Sequence, residues 1–179
     1  MLTVAPPDTI ELRANATFEA LMWALSRPGD SRDMPEAGLA AIIETLVDLE
    51  CTVFADDPAL LARIAATGAL LTDDISQADH VFLTSLDGAE ARVAGLRCGS
   101  ALYPDDGATL IAECRHGAGQ RVRLSGPGID GASEMSLGVS PGFWAMRAAL
   151  CAYPEGFDMF LVDGTSVIGI PRSTTVEVL

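Results

Sequence analysis

The hydrophobic positions of the chain follow two periods: some stretches repeat every three or four residues, and others are short apolar runs of strand length. Residues 15–26 place Phe18, Leu21, Met22 and Leu25 at helical spacing, with Asn15 or Thr17 as the cap. This helix is predicted to stop at Arg27-Pro28-Gly29, because a residue before proline is pushed out of helical geometry and glycine permits a sharp exit. Residues 38–50 repeat the pattern with Leu39, Ile42, Ile43, Leu46 and Val47 in one stripe, and Thr52-Val53-Phe54 follows as a strand. Asp57 caps a third helix, with Pro58 at its first position and Gly68 beyond its end. Residues 69–71 and 80–84 read as short strands. This alternation predicts an α/β layered fold around a central mixed sheet.

The second half carries more turn chemistry. A short helix is expected over residues 90–96, then a turn at Tyr103-Pro104-Asp105-Asp106-Gly107. The strand 109–114, the loop His116-Gly117-Ala118-Gly119-Gln120 and the strand 121–125 read as an antiparallel hairpin added to the sheet. Arg121 and Arg123 share one face of it and, with Arg115 and His116, form a local basic cluster, either a solvated hairpin tip or a phosphate or partner contact. Gly126-Pro127-Gly128-Ile129-Asp130-Gly131 is a glycine-rich loop followed by neither a lysine nor a helix, which favours a backbone turn over a nucleotide loop. Residues 141–151 form a late helix opened by Pro141, with Phe143, Trp144, Arg147 and Leu150 around it. The runs 159–162 and 167–170 flank Asp163-Gly164-Thr165-Ser166 and read as a core hairpin. Pro171-Arg172-Ser173-Thr174-Thr175 then gathers three hydroxyls and a guanidinium before a final edge strand 175–178. It reads either as a polar turn or as an anion or partner contact, in which Arg172 would make bidentate bonds.

Composition narrows the function classes. The 179 residues, 49% of them hydrophobic, suffice for one sizeable core and imply a single domain over 1–179. A formal charge of −14 excludes nucleic acid and an anionic membrane surface as expected partners, since both are held by basic side chains. No apolar window reaches membrane-spanning length, and residues 1–7 lack the regions of a secretion signal, so a cytoplasmic protein is expected. Cys51, Cys98, Cys114 and Cys151 form no CxxC pair and read as reduced, buried thiols rather than metal ligands. All 11 basic residues are arginines, so neither a lysine Schiff base nor a P-loop lysine is available. Only His80 and His116 could serve as a histidine base, and no GxSxG element is present. The expectation is no autonomous active site, no cofactor and no metal.

Several of these marks recur together in one known family. Ser26-Arg27-Pro28-Gly29, Leu124 with Gly126, Gly128 and Ile129, Pro154 with Gly156 and Asp158, and Ile170-Pro171-Arg172 followed by Thr174, Val176 and Glu177 span almost the whole chain. In order and spacing the chain resembles the PhnH family, a subunit of the bacterial carbon–phosphorus lyase system for using phosphonates. Ser173 stands where the family usually has threonine and keeps the hydroxyl, and Glu155 stands where it usually has leucine. The resemblance implies work with companion subunits that join a phosphonate to the ribose of ATP, releasing adenine and leaving a ribose 1-phosphonate 5-triphosphate. It also implies a fold similar to that of pyridoxal-phosphate-dependent transferases but without the cofactor, consistent with the missing lysine. Arg27, Gly126, Gly128, Asp158, Arg172, Ser173 and Thr174 are the candidate ligand or partner contacts. A homodimer is expected of the isolated chain, since twofold dimers are the commonest assembly and the apolar content is high for a small core. The other reading is a free-standing enzyme or binding protein for an anionic small molecule, using Arg172, Ser173 and Thr174 or the Arg121 and Arg123 face.

Overall fold

The computed structural model describes residues 6–179; residues 1–5, part of the N-terminal stretch read above, lie outside the described residues. Two sheets organise the chain. The first contains β1 (Ser31–Asp33), β2 (Thr52–Ala55), β3 (Leu70–Leu71), β4 (His80–Leu83) and β5 (Thr109–Glu113), together with β8 (Asp158–Asp163) and β9 (Ser166–Ile170). Its order is β1-β9-β8-β5-β4-β2-β3. The five strands from β3 to β8 run parallel, and β9 is antiparallel to both of its neighbours. The second sheet is the antiparallel trio of β6 (His116–Ser125), β7 (Ser133–Leu137) and β10 (Thr175–Val178), in the order β10-β6-β7.

Period-two alternation in the central strands explains how both faces of the large sheet are covered. Phe82, Ile111, Phe160, Val162 and Val167 face α1 (Thr9–Ser26), α2 (Leu39–Leu46) and α3 (Pro58–Thr67). Val81, Leu83, Leu110, Ala112, Met159 and Leu161 face the other way, onto α4 (Glu90–Val93), α5 (Pro141–Leu150) and the buried residues of the three-stranded sheet. Gly169 lets α1 lie directly on β9, for an added Cβ there would sit 2.5 Å from the Ala24 carbonyl carbon. No helix among the described residues is long and apolar enough to cross a membrane.

The C-terminal hairpin pairs as its sequence predicts, from Met159 with Ile170 to Asp163 with Ser166, with Gly164 in the left-handed region at φ +62. Other expectations are corrected. The first helix begins at Thr9 rather than Asn15, because Asp8 accepts from the amides of Ile10 and Glu11 at 2.9 and 2.8 Å and starts it six residues earlier. The second helix ends at Leu46, not Glu50. Strands 109–114 and 121–125 are not a hairpin within one sheet. In β5, Leu110, Ile111 and Ala112 are all fully buried, so it needs cover on both faces and sits between β4 and β8. By contrast β6 buries Val122 and Leu124 while exposing Arg121 and Arg123, so it suits the centre of a one-sided sheet.

Candidate functional site

Pro171–Thr174 carries the chain from the large sheet to the small one, and most of the predicted contact residues meet there. Arg172 donates through Nε to both oxygens of Asp158 at 3.3 and 3.2 Å, through Nη2 to Oδ2 at 2.7 Å, and through Nη1 to the carbonyl of Pro104. Its backbone N–H adds a bond of 2.8 Å to the same carboxylate. The bonds to Asp158 raise the Arg172 guanidinium further above its usual range, against the opposing effect of burial. Every guanidinium nitrogen of Arg172 therefore has an internal partner. Arg147, which the sequence reading placed on α5 without a role, is buried and donates to the carbonyls of Thr174 at 3.0 Å and Pro171 at 2.8 Å. Burial, the main cause, lowers its affinity for a proton. The signal available in the sequence was an arginine on the same helix face as Phe143 and Trp144. Thr174 is buried, and its Oγ1 has no hydrogen-bond partner.

The glycine loop packs on this segment and on the end of α1. An added Cβ at Gly126 would lie 2.9 Å from the Ser173 carbonyl oxygen, and one at Gly128 would meet the Ser26 carbonyl oxygen. Both have positive φ, +138 and +83, so the loop requires glycine for conformation as well as for close approach. Gly126, Gly128, Asp158, Arg172, Ser173 and Thr174 thus form one junction between the two sheets. Arg27 is different. Its guanidinium lies over the Trp23 ring, 5.3 Å from the centroid, and forms no ion pair among the described residues.

Of the basic cluster around β6, Arg121 and Arg123 are neutralised by carboxylates of the neighbouring strands. Arg121 and Arg123 both bind Glu134, at 2.6 and 2.9 Å, and Arg123 also binds Glu177 at 3.0 Å. These pairs hold the Glu134 carboxyl below its usual range, the Arg123 hydrogen bond first. His116 stands apart with its ring against the Leu161 carbonyl at 3.2 Å, and its pKa is lowered chiefly by burial. The four cysteines are free thiols. No group of three or more His, Cys, Asp or Glu among the described residues is placed to hold a metal ion.

A cleft of about 920 Å³ opens where β4, β5 and β8 end, a place at which open α/β sheets commonly present ligand sites. Asp87, Glu113, Arg115, Ser140 and Asp163 line it, along with the Gly38 start of α2. Ser140 caps α5, accepting from Phe143 N at 3.1 Å, and donates to Glu90 at 2.5 Å. Asp163 is tied to the His116 amide at 2.9 Å, whereas Asp87, Glu113 and Arg115 form no ion pair among the described residues. Burial, followed by Asp163 and Asp87, pushes the nearby Cys114 thiol up to about 11. The cleft lining is about equally polar and apolar, its charged groups are of both signs, and neither histidine lines it. It therefore offers hydrogen-bonding and charged groups without a histidine base or an activated nucleophile.

Nearly the whole chain is similar in sequence to known proteins. The chain is 32% identical over 171 residues to the C-P lyase subunit protein HtxG of Stutzerimonas stutzeri, covering 92% of this chain and 86% of the relative. It is 30% identical over 187 aligned positions to the alpha-D-ribose 1-methylphosphonate 5-triphosphate synthase subunit PhnH of Rhizobium meliloti (strain 1021), covering 92% and 90% of the two chains. Residues 9–177 match the model of the bacterial phosphonate metabolism protein family PhnH, a span holding every element from α1 to all but the last residue of β10, and the chain belongs to that family.

Proposed function

We propose that this chain is a subunit of a carbon–phosphorus lyase system and supports transfer of a phosphonate to the ribose of ATP with release of adenine. It contributes scaffold and contact surface, and companion subunits supply the reacting groups. The observation that carries this reading is the family match over residues 9–177, in a chain whose motif residues are largely engaged in internal packing. The seven-stranded, largely parallel sheet and the absence of lysine support the related inference that the scaffold is that of pyridoxal-phosphate-dependent transferases working without the cofactor. The chain works in the cytoplasm beside ATP and forms a twofold homodimer when isolated.

The test combines the pure chain with ATP and methylphosphonate and follows free adenine, first alone and then with purified companion subunits. Adenine is expected only in the second mixture, and its release by the chain alone would overturn the subunit reading. Light scattering of the isolated chain at micromolar concentration checks the dimer, which a monomer mass would exclude.

A further inference from the structure

The four cysteines are spread over the sequence, yet the fold brings two of them to one place. Cys98 opens a loop that is closed by its bridge to Gly107, and Cys151 ends α5. Gly156 lies between them: its N–H donates to the Cys98 carbonyl at 2.8 Å, and an added Cβ there would sit 2.9 Å from the Cys151 Sγ. The same added Cβ would lie 3.0 Å from the Arg172 Cβ, and one at Gly107, the bridge partner of Cys98, would lie 2.7 Å from the Arg172 Nη1. Both cysteines therefore flank the Arg172 side chain. Burial is the first cause that raises the Cys98 thiol and the Cys151 thiol is the second, with Arg172 opposing them. Neither thiol has a strong partner, since Cys98 donates to the Leu96 carbonyl at 3.6 Å and Cys151 to that of Phe157 at 3.9 Å, and S–H is a weak donor. Both are half-buried, in segments that also expose Tyr103 and Tyr153, so a small oxidant can reach them.

We propose that Cys98 and Cys151 are an oxidisable pair, joined as a disulfide by a small disulfide such as oxidised glutathione. One thiolate attacks a sulfur of the oxidant, forming a mixed disulfide and expelling a glutathione thiolate; the second thiolate attacks the protein sulfur of that bond and expels the other glutathione. The two protein thiols lose two electrons and two protons, and the oxidant becomes two glutathione thiols. The new bond links the segment that carries Pro104 to the segment that carries Asp158, the two partners of the Arg172 guanidinium. Oxidation thus staples the junction around Arg172, and a dithiol reverses it.

The experiment treats the native chain with oxidised glutathione at about pH 8, where thiolate is available, and counts free thiols in denaturant. The count is expected to fall from four to two, and dithiothreitol should restore it. Peptides are mapped without reductant after cleavage at arginines and aspartates, so that Asp105 separates Cys98 from Cys114, and a peptide of Cys98 bonded to one of Cys151 is expected. Cys51→Ser should form the same bond and Cys98→Ser should form no internal disulfide, with circular dichroism establishing that both variants are folded. Closing the ring from 98 to 151 should raise the thermal midpoint by at least about 3 °C. Mixed disulfides at both cysteines, bonds between chains or an internal disulfide of another pairing would overturn the proposal, as would an internal disulfide that persists in Cys98→Ser. A bond that leaves the midpoint unchanged would overturn the staple.

Discussion

Arg172 holds Asp158 through three side-chain contacts and its own backbone amide, with the two side chains 13% and 23% exposed. The sequence reads this arginine as part of a polar turn or as an anion or partner contact; in the fold its guanidinium binds the Asp158 carboxylate. Arg172→Ala would leave the carboxylate without its partner and remove the tie to Pro104, and is expected to cost on the order of 2 kcal/mol, less than for a fully buried pair. Denaturant unfolding measures this. Growth on a phosphonate should fall only in step with soluble protein, and a larger loss would mean that Arg172 also meets a ligand or partner.

Gly169→Ala tests the seat of α1. An added Cβ would lie 2.5 to 2.6 Å from backbone atoms of Ala24 and Leu25, so the helix must move off β9. Overpacking of this kind costs about 1–3 kcal/mol, and a thermal midpoint within a degree or so of wild type would show that the helix yields freely.

The two histidines set a pH dependence. Both are held below the ordinary value of 6.5, burial being the first cause, with Asp79 and Asp48 opposing it at His80 and the Leu161 carbonyl and Asp163 opposing it at His116. As pH falls, the unfolded chain takes up protons before the folded one. Stability is therefore greatest above about 6.5 and declines as the pH drops through that value toward the folded pKa values. Urea midpoints measured between about pH 7.5 and 5.5 should fall, and His80→Gln should lessen the fall without abolishing it. An unchanged slope in the variant would refute the assignment to His80.

Cys114 should be slow to alkylate. With its thiol pushed up to about 11 and its side chain 7% exposed, only about one part in a thousand is thiolate at pH 8. Iodoacetamide labelling of the native chain, read by mass spectrometry, is expected to reach Cys114 only on unfolding. Rapid native labelling would show that the β5 end opens.

Pyridoxal phosphate should not be retained. An internal aldimine requires a lysine amine, and all 11 basic residues are arginines. A bound chromophore near the visible edge that survives gel filtration would contradict this.

The elements legible in the sequence were those whose local chemistry and burial agree. Asp57-Pro58 starts α3 as read, with Asp57 accepting from Ala59 and Leu60, and the Asp163-Gly164 turn closes the β8–β9 hairpin. β1 and β7 were missed because Ser-Arg-Asp and Ser-Glu-Met-Ser-Leu carry little apolar signal and become strands only when β9 and β6 supply a partner. The first two turns of α1 were missed because Ile10 and Leu12 are 63% and 54% exposed and mark no continuous buried stripe. At the junction, the glycines and Arg172 were legible as special positions. That they serve one another could not be read from spacing, because Asp158 lies 14 residues from Arg172 and Pro104 lies 68 away.

The order of strands has a consequence for how the molecule is made. β1 leaves the ribosome early, yet pairs only with β9, more than 130 residues later, and β6 gains its β10 neighbour last of all. Loop closure on this scale is slow, and neither sheet can be completed until the final C-terminal segment emerges. An interrupted chain ending before β8 would present β5 with an open, apolar edge, the kind of surface that recruits other nascent chains into aggregates.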